Sequence, residues 1–212
     1  LFEQAGVIRT NALGELIDAA LLLATQPVPP GNRVGVISNA GGPGILFADT
    51  CEAHSLVIPE LTRPTIEKLR SFLPSQATLT NPVDMIAAAT PEQFAAAIQW
   101  TGADPNIDAV VVIYVPPRLI PPEEVLNAIA RAAGTVPVEK PILLVFMSFR
   151  EAPPIISRGG NGRLPCYRFP ENAALALVAT ARYGRWRRRR KGKVLTLDRS
   201  AQAAIRAVID RV

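Results

Sequence analysis

The sequence has few of the residues that build metal centres and disulfide frameworks. It contains one histidine and two cysteines, Cys51 and Cys166, which stand far apart and outside any Cys-x-x-Cys spacing. This argues against a Cys/His zinc site or any other metal site, and we expect both thiols to be reduced and partly buried. No apolar run approaches the roughly 18 residues that cross a membrane, and the first residues lack the pattern of a secretory signal. We therefore expect a cytoplasmic protein without membrane contact.

Acidic residues are missing from one segment, 182–193, which carries eight basic residues. The rest of the chain has 15 basic and 18 acidic residues, so the net charge of +5 arises from this segment alone. Its arginines stand beside Tyr183 and Trp186, a combination that also occurs in nucleic-acid and membrane contacts. We interpret it as a solvated linker between domains. Contact with phosphates or with an acidic domain is the next alternative, and nucleic acid is the least favoured.

Apolar runs alternate with helix-like stretches through residues 32–186. The spacing predicts strands at Arg33–Ser38, Leu56–Ile58, Ile107–Val115, Lys140–Ser148 and Leu164–Phe169. Helices of about 10 to 15 residues separate them, which indicates βαβ units. We predict an α/β fold, a flavodoxin-like doubly wound parallel sheet of about five strands with helices on both faces. Ligands bind beyond the carboxyl ends of such strands.

The segment after the first strand, residues 39–44, reads Asn-Ala-Gly-Gly-Pro-Gly. Its glycines permit a tight turn, and proline suits the first turn of a helix. We expect a helix over Pro43–His54 whose start offers an anion the N–H groups of Gly42, Gly44 and Ile45. The spacing matches neither a Walker A loop nor a dinucleotide fingerprint. A β–α turn without a ligand is therefore an equal alternative on these residues alone.

His54, the single histidine, falls at the other end of this predicted helix. Eleven residues at about 1.5 Å each separate it from the glycine turn by roughly 16 Å. We therefore predict a surface C-cap for His54 and no contact with an anion at Gly42.

Several motifs in order resemble the NDP-forming acyl-CoA synthetases, relatives of succinyl-CoA synthetase. They are FEQAGVIRT, NRVGVISNAGGPGILFADTCEA, NPVD, PNIDAVVVIYVPP and KPILLVFMS, spread over residues 2 to about 186. The resemblance is to the second flavodoxin-like ligase domain. It implies three parts: residues 1–31 as the tail of a preceding ligase domain plus a linker, 32–186 as the ligase domain, and 187–212 as a basic linker and helix leading to a further domain.

The resemblance also implies a chemistry. Family members join an organic acid to coenzyme A with ATP, through an acyl phosphate and a phosphohistidine. The glycine turn would bind the phosphoryl group that another segment presents, and the matching positions are Asn39, Gly41, Gly42, Gly44 and Ile45. Coenzyme A and ATP or ADP with Mg²⁺ would act in the full-length protein, with none held tightly by this chain. The partners would be a CoA-binding and first ligase domain upstream and an ATP-grasp domain, with a homo-oligomer left open.

The chain departs from the family in its histidine. The phosphorylated histidine of the family lies in an SHTG-type stretch before the QAGVIR segment, and His54 does not replace it. We therefore expect no catalytic residue in this chain and no complete reaction from the chain alone.

Other polar residues on the predicted functional edge are weaker candidates. Asn81, Asp84 and Arg118 could contact a phosphate or a partner domain, although turn capping by Asp84 and a solvated charge at Arg118 are favoured. Glu123 and Glu124 are explained by a helix start. We expect a loop over Ser157–Pro165.

Two other functions stay open from the sequence. One is a non-catalytic module that senses acyl-CoA within a protein acetyltransferase fusion. The other is an unrelated flavodoxin-like domain that binds a nucleotide.

Overall fold

The structure is a computed structural model that describes residues 1–117, 122–148, 155–157, 163–189, 192 and 198–210. Its strands are β1 (Val34–Ser38), β2 (Val83–Asp84), β3 (Ala109–Tyr114), β4 (Ile142–Phe146), β5 (Ile155–Ser157) and β6 (Arg163–Tyr167). Its helices are α1 (Phe2–Ala5), α2 (Leu13–Thr25), α3 (Gly41–Ala53), α4 (Arg63–Phe72), α5 (Pro91–Ala103), α6 (Glu123–Ala132), α7 (Pro170–Arg188) and α8 (Arg199–Ile209). A short 3₁₀ turn, Ala133–Thr135, follows α6.

The strands of the described residues form one sheet in the order β2–β1–β3–β4–β6–β5. The first five in this order run parallel, and β5 pairs antiparallel with β6 at the edge. In register, Val34 lies opposite Ala109, and Val110 lies opposite Ile142. This is the flavodoxin-like strand order, so the predicted fold class is confirmed.

One predicted strand is wrong. Leu56–Ile58 contributes a single bridge between Val57 and Arg33, because Pro59 has no N–H with which to continue the pairing. The fifth parallel strand is instead Val83–Asp84, which pairs with the end of β1.

Side chains from alternate positions of β3 reach two separate cores. Val110, Val112 and Tyr114 pack on one face of the sheet, where α4, α5 and α6 lie. Val111 and Ile113 pack on the other face with residues of α2, α3 and α7. Both faces of the sheet are therefore covered, as expected from the continuous apolar runs of its strands.

Local sequence explains several boundaries. Thr90 closes a capping box with Gln93 at the start of α5. The loop predicted over Ser157–Pro165 is in part strand, because β5 ends and β6 begins within it; residues 158–162 lie outside the described residues.

The first 31 residues are not a loose appendage in this structure. Leu22 of α2 is fully buried in the core shared with α7. The side chain of Gln26 donates to the carbonyl of Arg163 and accepts the N–H of Ile142. The domain limits inferred from resemblance stay a prediction.

Candidate functional site

The glycine turn lies at the carboxyl edge of the sheet, directly after β1. Helix α3 begins at Gly41, two residues earlier than predicted, with Ala40 as an extended N-cap. In a helix that starts there, the N–H groups of Gly41 and Gly42 come too early to find a carbonyl one turn back within the helix. The prediction that Gly42, Gly44 and Ile45 bind the anion stays a prediction, to which this helix start adds Gly41. The free amides of the first turn belong to Gly41 and Gly42, since Pro43 has no N–H.

Ser38 satisfies the amide that precedes this helix. Its Oγ accepts the N–H of Ala40 at 3.0 Å and donates to the carbonyl of Ala40 at 2.7 Å. Ser38 is almost completely buried, so these two hydrogen bonds fix the backbone at the point where the chain leaves β1. Sequence analysis did not single out Ser38, although serine hydroxyls are known to form turns by bonding the backbone two residues on.

Approach to the two free amides is open. Gly41 and Gly42 are both exposed, and a Cβ atom placed on Gly42 would meet no other atom within 4 Å. At Gly41 the same position lies 3.1 Å from Oδ2 of Asp84. The other oxygen of Asp84, Oδ1, accepts the N–H of Ile86 at 3.0 Å. The site thus has two amide donors facing solvent with one carboxylate oxygen beside them.

The two candidate asparagines do not point into this site. Oδ1 of Asn39 accepts the N–H of Val115 at 2.8 Å, and its Nδ2 donates to the carbonyl of Val115 at 2.9 Å. The amide of Asn81 accepts from Val36 and donates to the carbonyls of Val34 and Pro59. Both side chains therefore form their hydrogen bonds with backbone groups. Arg118 lies outside the described residues.

His54 is the C-cap of α3, as predicted. Its Nδ1 lies 2.9 Å from the carbonyl oxygen of Thr50, and its side chain is exposed. The 13-residue helix separates it from the glycine turn by about 20 Å. Glu123 and Glu124 occupy the first turn of α6, where the helix dipole accounts for them.

Both cysteines are free and buried, and burial raises the pKa of each thiol to about 12. Across the described ranges, no group of three or more His, Cys, Asp or Glu residues could hold a metal ion. No helix in these ranges is long and apolar enough to cross a membrane.

The basic segment begins as an ordered part of α7. Tyr183 and Trp186 stack with ring centroids 5.9 Å apart, and the indole N–H of Trp186 donates to the carbonyl of Gln4 at 2.9 Å. The guanidinium groups of Arg187 and Arg189 lie over these two rings. This end of α7 therefore contacts the first helix of the chain.

Comparison with known proteins places this architecture in a family. The Ligase-CoA domain matches residues 34–192. The chain belongs to the Ligase-CoA domain family. It is 39% identical over 183 residues to the alpha subunit of acetate–CoA ligase (ADP-forming) II from Pyrococcus furiosus, covering 84% of this chain and 39% of that protein. It is 25% identical over its whole length to 4-hydroxybutyrate–CoA ligase (ADP-forming) from Nitrosopumilus maritimus, of which it covers 30%.

Solved structures agree with this Ligase-CoA assignment. The crystal structure of PH0766 from Pyrococcus horikoshii superposes with a TM-score of 0.78 at 37% identity, over 87% of this chain and 43% of that one. The apo form of dinucleotide forming acetyl-coenzyme A synthetase 1 from Ca. Korarchaeum cryptofilum shares the fold with a TM-score of 0.76 at 24% identity, over 88% and 41% of the two chains. The chain thus spans less than half the length of these relatives.

Proposed function

We propose that this chain is one domain of an ADP-forming acyl-CoA synthetase that works in the cytoplasm. Such an enzyme converts an organic acid, coenzyme A and ATP into acyl-CoA, ADP and phosphate, or runs in reverse to make ATP. Family membership and the names of the relatives support this reaction class. We assign CoA, the nucleotide and Mg²⁺ to other domains: a CoA-binding and first ligase domain upstream, and an ATP-grasp domain. The 212-residue chain alone is expected to form no acyl-CoA.

The glycine turn is the part of this chain that we assign to the reaction. The observation that carries the assignment is that the exposed residues Gly41 and Gly42 form the start of α3, where backbone N–H groups have no partner within the helix. A helix N-terminus adds about half a positive charge to such donors, which favours a phosphoryl group. In the proposed reaction, a phosphohistidine carried by another segment places its phosphoryl oxygens against these two amides. The donors are fixed in advance, so they stabilise charge without rearrangement.

Asp84 has a complementary role in this proposal. Its Oδ2 lies 3.1 Å from the position that a Cβ atom of Gly41 would take. A phosphorylated imidazole departs as a neutral ring when its second nitrogen carries a proton, and a carboxylate favours that protonated form. Asp84 would therefore orient the ring and hold this proton while the amides of Gly41 and Gly42 hold the phosphoryl group.

A pair of substitutions at Gly41 tests the donor role. Gly41→Pro removes one amide N–H at a position where proline suits a helix start and Ala40 is already extended, as a residue before proline should be. Gly41→Ala adds a similar Cβ beside Asp84 but keeps the N–H. In the full-length protein we expect Gly41→Pro to slow phosphoryl exchange between ATP and the protein on the order of 100-fold, and Gly41→Ala to have a much smaller effect. Equal rates for both variants and the unaltered protein would remove the turn from the reaction.

A further inference from the structure

Helix α2 is apolar around most of its circumference. Its sequence, LGELIDAALLLAT, buries Ala19 and Leu22 against the rest of the fold. On other sides, Leu13, Leu16 and Ile17 expose 72%, 48% and 59% of their surface. A helix that is apolar around most of its surface is ordinarily buried on most sides, yet these three side chains stay largely exposed in the described part of the chain.

The first half of α2 lies at the carboxyl edge of the sheet, the edge that holds the glycine turn. The hydroxyl of Tyr167, the last residue of β6, donates to the carbonyl of Asp18 at 3.1 Å. Nδ2 of Asn172, in the first turn of α7, donates to Oδ2 of Asp18 at 2.7 Å. These two contacts place Asp18, and with it the first half of α2, beside the carboxyl end of β6.

More exposed apolar side chains lie at the same edge. Ile45 and Leu46, directly after the glycine turn, expose 61% and 48% of their surface, and Phe169, the N-cap of α7, exposes 47%. Helix α7 packs against both α2 and α3 on this face of the sheet. We refer to the whole set as the apolar rim: Leu13, Leu16, Ile17, Ile45, Leu46 and Phe169.

We propose that the apolar rim is the docking surface for the domain that brings the phosphoryl group to Gly41 and Gly42. This rests on the proposed function, and it names the surface through which the carrier is aligned. The relatives are more than twice as long as this chain, so the remaining polypeptide is large enough to supply such a domain. Exposed apolar patches beside a polar site mark interaction surfaces, and covering this one would also exclude water from the phosphoryl group.

A second copy of this chain fits the rim less well. A twofold contact would place the same patch of both copies face to face, bringing two glycine turns together. The only histidine, His54, is at the opposite end of α3 in each copy. Such a pair would leave the amides of Gly41 and Gly42 without a phosphorylated imidazole.

Charged substitutions in the rim test the proposal in the full-length protein. Ile17→Asp places a carboxylate within the rim, and Leu13→Asp does so at the first residue of α2, where an acid favours the helix. Val138→Asp is the matched control, because Val138 is 88% exposed and precedes β4 at the opposite edge. We expect both rim variants to slow phosphoryl exchange at least 10-fold with unchanged nucleotide KM and melting temperature, and the control to match the unaltered protein.

The outcomes separate the two proposals. If Gly41→Pro abolishes exchange while both rim variants exchange normally, the docking surface is wrong and the turn retains its role. If Gly41→Pro exchanges normally, the proposed function fails. A third experiment measures the oligomeric state of the 212-residue chain by sedimentation. A dimer that Ile17→Asp converts to a monomer, with exchange in the full-length variant unaffected, would assign the rim to a second copy and overturn docking of the carrier domain.

Discussion

Asn39 and Val115 are joined by two hydrogen bonds that continue the pairing of β1 with β3 beyond the last strand residues. The Asn39 side chain accepts from the N–H of Val115 and donates to its carbonyl, at 2.8 and 2.9 Å. Asn39 is 2% exposed. The residue that begins the glycine turn therefore holds two loops of the functional edge together and does not face the anion site.

Replacing Asn39 distinguishes this role from ligand binding. Asn39→Ala should lower the free energy of unfolding by about 2 kcal/mol, because a donor and an acceptor of Val115 lose their partners. Urea denaturation of the chain measures this change. Asn39→Asp, which keeps the acceptor and loses the donor, should also be destabilising. Unaltered stability combined with loss of phosphoryl exchange would instead assign the Asn39 amide to the ligand.

Local patterns predicted most of the fold. The apolar runs around Val34, Val110 and Leu144 specify strands covered on both faces, and the alternation with helices specifies their parallel order. Thr90 and Gln93 mark a helix start within four residues of sequence. His54 could be placed by counting residues along one helix. Each of these inferences depends on neighbours in sequence.

Features that depend on distant partners were not predictable in this way. The strand Val83–Asp84 follows Asn81, whose side chain is bonded to backbone groups of Val34, Val36 and Pro59, 22 to 47 residues away. The apolar face of α2 likewise looks like core in sequence, and its exposure is evident only once the sheet is assembled.

Arg33 and Asp108 form a bidentate ion pair at the amino edge of the sheet. Nε and Nη2 of Arg33 donate to the two carboxylate oxygens at 2.9 and 2.8 Å, and the Arg33 backbone N–H donates to Oδ2 at 3.1 Å. Burial alone would raise the pKa of Asp108, but these hydrogen bonds and the positive charge of Arg33 lower it below its usual value. The carboxylate is therefore stabilised in the folded state.

The lowered pKa of Asp108 predicts how the stability of the fold changes with pH. The ion pair stabilises the fold above pH about 4, the pKa of an unfolded Asp, and this contribution is lost as the pH falls through the lower folded value. Arg33→Met should cost about 2 kcal/mol at pH 7 and flatten the stability profile below pH 4. Arg63→Met, which removes an exposed pair with Glu67, is the control and should change little. Parallel acid profiles for Arg33→Met and the unaltered chain would contradict this assignment.

The thiols of Cys51 and Cys166 should be unreactive in the folded chain. Burial raises the pKa of each to about 12, so both the thiolate fraction and the access of a reagent are low at pH 8. We expect no rapid reaction with an aromatic disulfide reagent in buffer and reaction of both thiols in urea. Fast modification of one thiol under folding conditions would show that its surroundings open readily.

The first helix is held to α7 through Gly6 and Trp186. Gly6 has a φ of +77°, and a Cβ atom placed there would lie 2.4 Å from the indole ring of Trp186. The same indole donates to Gln4, and the side chain of Arg189 donates to that carbonyl as well. Glycine is therefore required at this position both by its backbone conformation and by the flat contact with the ring.

Gly6→Ala should release α1 from α7 without unfolding the domain, since four residues of helix have little stability of their own. In a Trp100→Phe background Trp186 is the single tryptophan of the chain. Its fluorescence should shift to longer wavelength, and acrylamide should quench it more strongly, when α1 leaves. Gly14→Ala is the matched control, because a Cβ atom there meets no other atom within 4 Å. Identical quenching in the Gly6 and Gly14 variants would mean that this contact does not hold α1 in solution.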